Sequence, residues 1–131
     1  MTKENPLIAI VDDDESVRAA TKSLMRSLGF LAESFPSAED FLASPHVNRT
    51  ACLLADVHMP GMSGLDLHRR LAAAGASIPT ILITAYPDDA MRARALKDGV
   101  ISYLTKPCDE EDLLRWIRSA LDRGGSSQTK P

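Results

Sequence analysis

Four short polar segments each follow an apolar run in this sequence of 131 residues. The aspartates at residues 12–14 follow the first run, and Asp56, Thr84 and Lys106 follow three later ones. Carboxylates that lie close together repel one another unless a cation lies among them, and all-oxygen ligation favours a hard ion such as Mg²⁺. One aspartate can then act as a nucleophile toward phosphorus, while the metal, a lysine and a hydroxyl neutralise the phosphoryl oxygens. If these residues meet, the pattern predicts phosphoryl transfer onto an aspartate.

Alternating strands and helices would bring these residues together. Apolar runs at residues 7–11, 51–55, 79–83 and 100–104 predict buried strands, and residues 30–35 predict a weaker one. A helical pattern of apolar residues follows each strand. Repeated strand–helix units predict a parallel sheet with helices on both faces and right-handed crossovers. Ligands bind at the carboxyl ends of the strands in such sheets, so the predicted site lies along that edge.

Composition and charge exclude several classes of protein. The chain is 44% hydrophobic and 25% charged, which is typical of a globular domain and too apolar for a disordered chain. No apolar run approaches the roughly 18 residues of a membrane span, so no membrane partner is expected. The formal net charge of −3 argues against non-specific DNA binding, and no direct nucleic-acid contact is expected. Two cysteines without a CxxC motif predict free thiols and a cytoplasmic location.

The length predicts one domain. We expect a flexible N terminus at residues 1–5, a folded domain at residues 6–122 and a flexible, glycine-containing tail at residues 123–131. The sequence shows no second core after Leu121, so we expect either a stand-alone domain or one domain of a longer product.

Four motifs occur in the order of the predicted strands. They are residues 11–15 (VDDDE), 56–64 (DVHMPGMSG), 83–85 (ITA) and 103–107 (YLTKP). Together they resemble the CheY-like receiver domain of bacterial two-component response regulators, over residues 6–121. The resemblance implies a flavodoxin-like, doubly wound α/β fold with a five-stranded parallel sheet in the order 2-1-3-4-5 and five helices.

The resemblance also implies roles for individual residues. Asp56 would be the phosphoacceptor, and Lys106 would bind a phosphoryl oxygen. Asp13 and Asp56 would bind Mg²⁺ directly, together with the backbone carbonyl of His58, while Asp12 would act through water. The cofactor implied by the resemblance is therefore Mg²⁺.

Thr84 and Tyr103 would form the switch that the family uses. On phosphorylation Thr84 would move toward the phosphoryl group and Tyr103 would turn inward. The phosphoryl group would come from a histidine kinase, a phosphotransfer protein or a small phosphodonor. The changed surface of the fourth helix, fifth strand and fifth helix would regulate a partner protein or form a homodimer. Beyond self-catalysed phosphoryl transfer and autodephosphorylation, no enzyme activity is implied.

Two other functions fit parts of the sequence. The segment at residues 12–16 fits the DxDx(S/T) pattern of haloacid-dehalogenase-like phosphatases, in which Asp12 would be the nucleophile and Asp14 the general acid. That hypothesis leaves Asp56 without a role. The second alternative is a receiver fold that binds a partner without being phosphorylated.

Several neighbouring residues have structural interpretations. Asp14 and Glu15 are predicted to begin the first helix, where acidic residues are stabilising. His68 is predicted to point outward from the third helix. Pro87 is predicted to lie in the first turn of the fourth helix. The fourth and fifth helices carry five basic residues, and some of them are predicted to contact an acidic partner or a dimer mate: Arg92, Arg94, Lys97, Arg115 and Arg118.

Overall fold

Strands and helices alternate through the whole described chain. The computed structural model describes residues 6–129, with side chains through residue 122. A short 3₁₀ helix, Val47–Arg49, precedes the third strand. The elements are β1 (Leu7–Val11), α1 (Glu15–Ser27), β2 (Leu31–Phe35), α2 (Ala38–Leu42), β3 (Thr50–Asp56), α3 (Gly64–Ala73), β4 (Thr80–Thr84), α4 (Asp89–Lys97), β5 (Ser102–Thr105) and α5 (Glu110–Thr129).

The five strands form one parallel sheet in the order β2-β1-β3-β4-β5. This confirms the predicted fold class. The register pairs Val11 with Ala55 and Asp56 with Ile83, so β1, β3 and β4 end at the same edge. Thr84 pairs with Thr105, which brings the end of β5 to that edge as well.

The sheet divides the core into two clusters of buried side chains. Strand side chains alternate between the two faces, so neighbours such as Leu53 and Leu54 belong to different clusters. One cluster packs under α2, α3 and α4, and the other packs under α1 and α5. Because both faces are covered, the central strands are continuously apolar, as parallel strands are expected to be.

Side-chain caps fix where the helices begin. Asp14 caps α1 by accepting a hydrogen bond from the Val17 backbone N–H at 3.1 Å, as predicted for a helix-start residue. Ser63 forms a capping box with Asp66 at the start of α3. These caps orient the helices that directly follow the functional edge of the sheet.

The fourth helix begins later than predicted. The sequence placed Pro87 in its first turn, but α4 begins at Asp89 with Asp88 as its N-cap. The Asp88 carboxylate accepts hydrogen bonds from the backbone N–H groups of Ala90 and Met91 at 2.8 and 3.2 Å. An aspartate cap satisfies two otherwise unpaired N–H groups, which places Pro87 outside the helix.

Two other boundaries also differ from the prediction. The fifth strand begins at Ser102, because Val100 still belongs to the C-terminal cap of α4. Gly99 adopts a positive φ of +100°, and the N–H of Val100 donates back to the Ala95 carbonyl of the helix. The backbone of α5 continues to Thr129, into the predicted tail. Glycines weaken a helix by about 1 kcal/mol each but, unlike proline, keep its hydrogen bonds.

The predicted flexibility of residues 123–131 stays a prediction, and the predicted flexible N terminus, residues 1–5, lies outside the described residues. No helix in the described part of the chain is long and apolar enough to cross a membrane.

Candidate functional site

Three carboxylates meet at the carboxyl edge of the sheet. Asp12 and Asp13 directly follow β1, and Asp56 is the last residue of β3, which pairs with β1. One oxygen from each carboxylate lies within 4.8 Å of the others. Asp12 and Asp56 are only 5% and 8% exposed, whereas Asp13 is exposed. The acidic cluster, Asp12, Asp13 and Asp56, therefore combines two buried carboxylates with one that is exposed to solvent.

Lys106 links two of these carboxylates. Its Nζ donates hydrogen bonds to Asp12 Oδ2 at 3.0 Å and to Asp56 Oδ2 at 3.3 Å. Its backbone N–H donates to the Thr84 carbonyl at 2.7 Å, and the peptide bond between Lys106 and Pro107 is cis. The lysine is thus anchored at the ends of β4 and β5 and reaches across to β1 and β3.

Burial and neighbouring charges shift the ionisation of this group. Burial raises the pKa of Asp56, the Lys106 ammonium opposes that rise, and the Asp12 charge adds to it. Burial alone would lower the pKa of Lys106, but its hydrogen bond and charge interaction with Asp12, together with the Asp56 carboxylate, raise it overall. Three carboxylates face a single ammonium in this cluster, so it keeps a net negative charge.

The residues present fit a Mg²⁺ site. The donor atoms are all carboxylate oxygens, they lie close enough to share an ion, and their excess negative charge suits a divalent cation. Asp12, Asp13 and Asp56 are the side chains that would hold it. The His58 backbone N–H donates to Asp56 Oδ1 at 3.3 Å, so the backbone of the residue predicted to supply a carbonyl ligand lies beside Asp56.

The two predicted switch residues are both buried, Thr84 at the carboxyl end of β4 and Tyr103 within β5. Thr84 is fully buried, and its Oγ1 accepts a hydrogen bond from the Tyr86 backbone N–H at 3.0 Å. Tyr103 is only 2% exposed, and its hydroxyl oxygen accepts a hydrogen bond from the Asp88 backbone N–H at 3.3 Å. The ring of Tyr86 is 73% exposed and meets the His58 ring edge-on, with centroids 5.8 Å apart. Thr84 therefore lies next to the backbone of Lys106, and Tyr103 contacts the residue that caps α4.

Gly64 has a role that the sequence analysis missed. A Cβ at this position would lie 2.5 Å from the backbone carbonyl oxygen of Asp56, far inside van der Waals contact. Only glycine lets the first residue of α3 approach the strand that carries Asp56 so closely. The signal in the sequence was the glycine directly after the Ser63 cap, where a stronger helix former is usual.

The outward orientation predicted for His68 is wrong. The side chain is partly buried, with Nδ1 3.2 Å from Thr80 Oγ1 and Nε2 3.1 Å from the Asp98 carbonyl oxygen. Polar partners at the start of β4 and the end of α4 lie within reach of the ring and hold it against the protein. This histidine lies on α3, outside the acidic cluster.

Comparison with known proteins identifies the fold and its family. The sequence model of the response regulator receiver domain matches residues 8–118. The chain belongs to the response regulator receiver family. This receiver is 46% identical over 121 residues to response regulator protein TmoT of Ectopseudomonas mendocina, covering 92% of this chain and 55% of that protein.

Solved structures agree with this family assignment. Response regulator StyR superposes on this receiver with a TM-score of 0.88 at 40% identity, covering 95% of this chain and 63% of that one. The N-terminal part of FixJ has a TM-score of 0.82 at 34% identity, covering 92% and 96%. The receiver spans about half the length of the curated relatives it matches first.

The family assignment gives no support to the phosphatase alternative. Asp14, the general acid of that hypothesis, caps α1 and is not part of the acidic cluster. Asp56, which that hypothesis left without a role, lies within the cluster and bonds to Lys106.

Proposed function

We propose that this receiver domain accepts a phosphoryl group on Asp56 when Mg²⁺ is bound. The observation that carries the proposal is the Lys106 ammonium, which bridges Asp12 and Asp56 beside the exposed carboxylate of Asp13. A nucleophile, a cation and a metal-binding cluster within a few ångströms are the parts that phosphoryl transfer requires.

The reaction requires one bond to form and one to break. A carboxylate oxygen of Asp56 attacks the phosphorus of the donor and forms a P–O bond. The P–N bond of a phosphohistidine donor, or the P–O bond of a small acyl phosphate, breaks with its electron pair going to the donor. The product is an acyl phosphate on Asp56.

The residues around Asp56 stabilise the charge that is transferred. Lys106 would exchange one of its carboxylate partners for a phosphoryl oxygen, and the Thr84 hydroxyl would donate to another. A Mg²⁺ ion bound by the carboxylate cluster would neutralise further charge on the phosphoryl group. The predicted His58 carbonyl ligand belongs to this same proposal.

Phosphorylation would then act as a switch on the output surface, the exposed face of α4, β5 and α5. The phosphoryl group adds charge and three acceptor oxygens at Asp56. Thr84 and Lys106 would rearrange around them, and Tyr103 would transmit the change to α4. Conversion from mostly off to mostly on requires about 5.5 kcal/mol of differential stabilisation.

The partners in this proposal are proteins. A histidine kinase or phosphotransfer protein would supply the phosphoryl group, and the output surface would bind a regulated partner or a second copy of the chain. The domain would act on itself and would not be an enzyme for other substrates. The two free cysteines support a cytoplasmic location.

The names of two relatives bear on the predicted absence of nucleic-acid contact. The relatives TdiR and FixJ are each named a transcriptional regulatory protein. These names give no support to the prediction that the whole protein makes no contact with nucleic acid. We limit that prediction to residues 6–122, whose acidic site edge is unsuited to phosphate backbones.

Incubation of the full chain with acetyl phosphate and Mg²⁺ tests the proposal. Intact-mass spectrometry should show one added phosphoryl group, which Asp56→Asn abolishes and EDTA suppresses. Asp14→Asn is the matched control, because it removes an adjacent acid and retains a helix cap. Incorporation that persists in Asp56→Asn would refute the assignment of the phosphoacceptor. No incorporation in the unmutated protein would favour the phosphorylation-independent binding module.

A further inference from the structure

Tyr103 is held in its buried position by the start of α4. The ring packs in the core cluster that also contains Ala95 of α4 and Val100. Its hydroxyl oxygen accepts a hydrogen bond from the Asp88 N-cap residue. A tyrosine that turned outward from this position would lose both the packing and that hydrogen bond.

Arg92 contacts the same tyrosine twice. Its guanidinium carbon, Cζ, lies 5.1 Å from the centroid of the Tyr103 ring, within the range of a cation–π interaction. Its Nη1 also donates a hydrogen bond to the Tyr103 backbone carbonyl at 3.3 Å. One side chain of α4 therefore contacts both the ring and the backbone of one residue in β5.

Among the described residues, Arg92 forms no ion pair. Asp88 and Asp89 lie at the start of the same helix, but neither carboxylate pairs with the guanidinium. The arginine is exposed, so it covers the buried tyrosine from the solvent side. Its cation–π contact and its side-chain hydrogen bond are both made to Tyr103.

We propose that Arg92 is a positioning residue that favours the buried orientation of Tyr103. In this way it biases the output surface toward the form in which that tyrosine is buried. The proposal deepens the proposed function and rests on it for its regulatory meaning, because a bias on Tyr103 matters only if this residue is part of the switch. It gives Arg92 an intramolecular role in place of the predicted contact with an acidic partner or dimer mate.

The expected effect is moderate. The cation–π contact depends on the orientation of the ring, whereas the hydrogen bond to the backbone carbonyl anchors the arginine and does not depend on it. A cation–π contact at an exposed site changes an equilibrium by a factor of about 2–5. Arg92→Ala should therefore lower the ratio of buried to exposed Tyr103 by a factor of about 2–5. Arg92→Lys keeps the charge and the aliphatic stem but loses the planar group, so it should restore only part of that ratio.

Fluorine NMR of 3-fluorotyrosine tests this directly. The chain has two tyrosines, so a Tyr86→Phe background leaves Tyr103 as the single reporter. A soluble paramagnetic agent broadens the exposed signal and not the buried one. Arg94→Ala is the matched control, since this exposed arginine lies on the same helix and its side chain makes no described hydrogen bond or ion pair.

Each outcome decides the proposal. Exposure of Tyr103 in Arg92→Ala, partial restoration in Arg92→Lys and no change in Arg94→Ala would support it. No exposure in Arg92→Ala would overturn it, and so would equal exposure in Arg94→Ala, which would indicate a general loosening of α4.

Beryllofluoride with Mg²⁺, added afterwards, separates this proposal from the proposed function. A return of Tyr103 to its buried position in Arg92→Ala would support both. An Arg92-specific effect with no response to beryllofluoride in any variant would support the positioning role and refute phosphorylation as its regulator.

Discussion

The acidic cluster of Asp12, Asp13 and Asp56 should make the metal-free protein less stable than a variant with one charge fewer. Asp13 is the most informative position, because it is exposed while the other two are buried and bonded to Lys106. Asp13→Asn keeps the size of the side chain and removes its charge. We expect this variant to be more stable than the unmutated protein when no metal is present.

The magnitude follows from the geometry. One oxygen from each carboxylate lies within 4.8 Å of the others. Two unit charges at that limiting distance repel by about 0.9 kcal/mol at the dielectric constant of water and by about 3.5 kcal/mol at an effective value of 20. The exposure of Asp13 favours the lower figure for each of its two repulsions. Attraction to Lys106 offsets part of the sum, so the net gain should be about 1 kcal/mol.

Mg²⁺ should reverse the order of stability. A ligand at 100 times its Kd adds about 2.7 kcal/mol to the free energy of unfolding of the form that binds it. The unmutated protein should gain this stabilisation, and Asp13→Asn should lose most of it. The unmutated protein should therefore become the more stable of the two as Mg²⁺ is added.

Urea unfolding followed by circular dichroism measures both effects. The metal-free comparison is made in EDTA at low salt and repeated at high salt, where screening should shrink the gain. Asp14→Asn, which retains the cap on α1, should show no gain in EDTA and a normal response to Mg²⁺. An Asp13→Asn variant that is no more stable than the unmutated protein in EDTA would refute the electrostatic reasoning.

Three further outcomes are expected. Burial raises the pKa of Asp56 in the folded protein, so folding favours its protonated form. The free energy of unfolding, compared with that of Asp56→Asn, should therefore fall as pH rises from about 3.9, the pKa in the unfolded chain, through the folded pKa. Urea midpoints between pH 3 and pH 7 measure this, and a rise would contradict it. Gly64→Ala should lower the free energy of unfolding, measured in urea, by about 1–3 kcal/mol, because the new Cβ would clash with the Asp56 carbonyl. The same substitution at an unobstructed helical site would raise it. Burial raises the pKa of Cys52 to about 12 and also raises the pKa of Cys108. A disulfide reagent should therefore label Cys108 slowly and Cys52 only after unfolding. Rapid labelling of two thiols in the native state would be inconsistent with this packing.

The edge of the sheet could be predicted from sequence because its rules are simple. Apolar runs mark buried parallel strands, and the residue after each run lies at the carboxyl edge. This places Asp12, Asp56, Thr84 and Lys106 together without knowledge of any contact. The resemblance to receiver domains then added their roles, which residue types alone left open.

Competition between neighbouring residues explains why the start of α4 was predicted incorrectly. Pro87 is a good first-turn residue, but the neighbouring Asp88 offers a cap with two hydrogen bonds, and the choice between them depends on the geometry of the loop. The end of α5 depended similarly on a weak preference, since glycine disfavours a helix without forbidding it.

Distances between elements explain the rest. His68 reaches Thr80 and Asp98, and Arg92 reaches Tyr103, only because particular helices and strands pack at particular separations. Helical periodicity assigns such residues to a face but not to a partner. The close approach at Gly64 is likewise a property of the packed fold.

The separation of the core into two clusters has a consequence for how this domain can diverge. Side chains under α1 and α5 and those under α2, α3 and α4 are separated by the backbone of the sheet. Substitutions in the two clusters should therefore combine almost additively, with little coupling in a double-mutant cycle. Each face can then accumulate its own sequence changes, while the edge that carries Asp56 and Lys106 remains common to both.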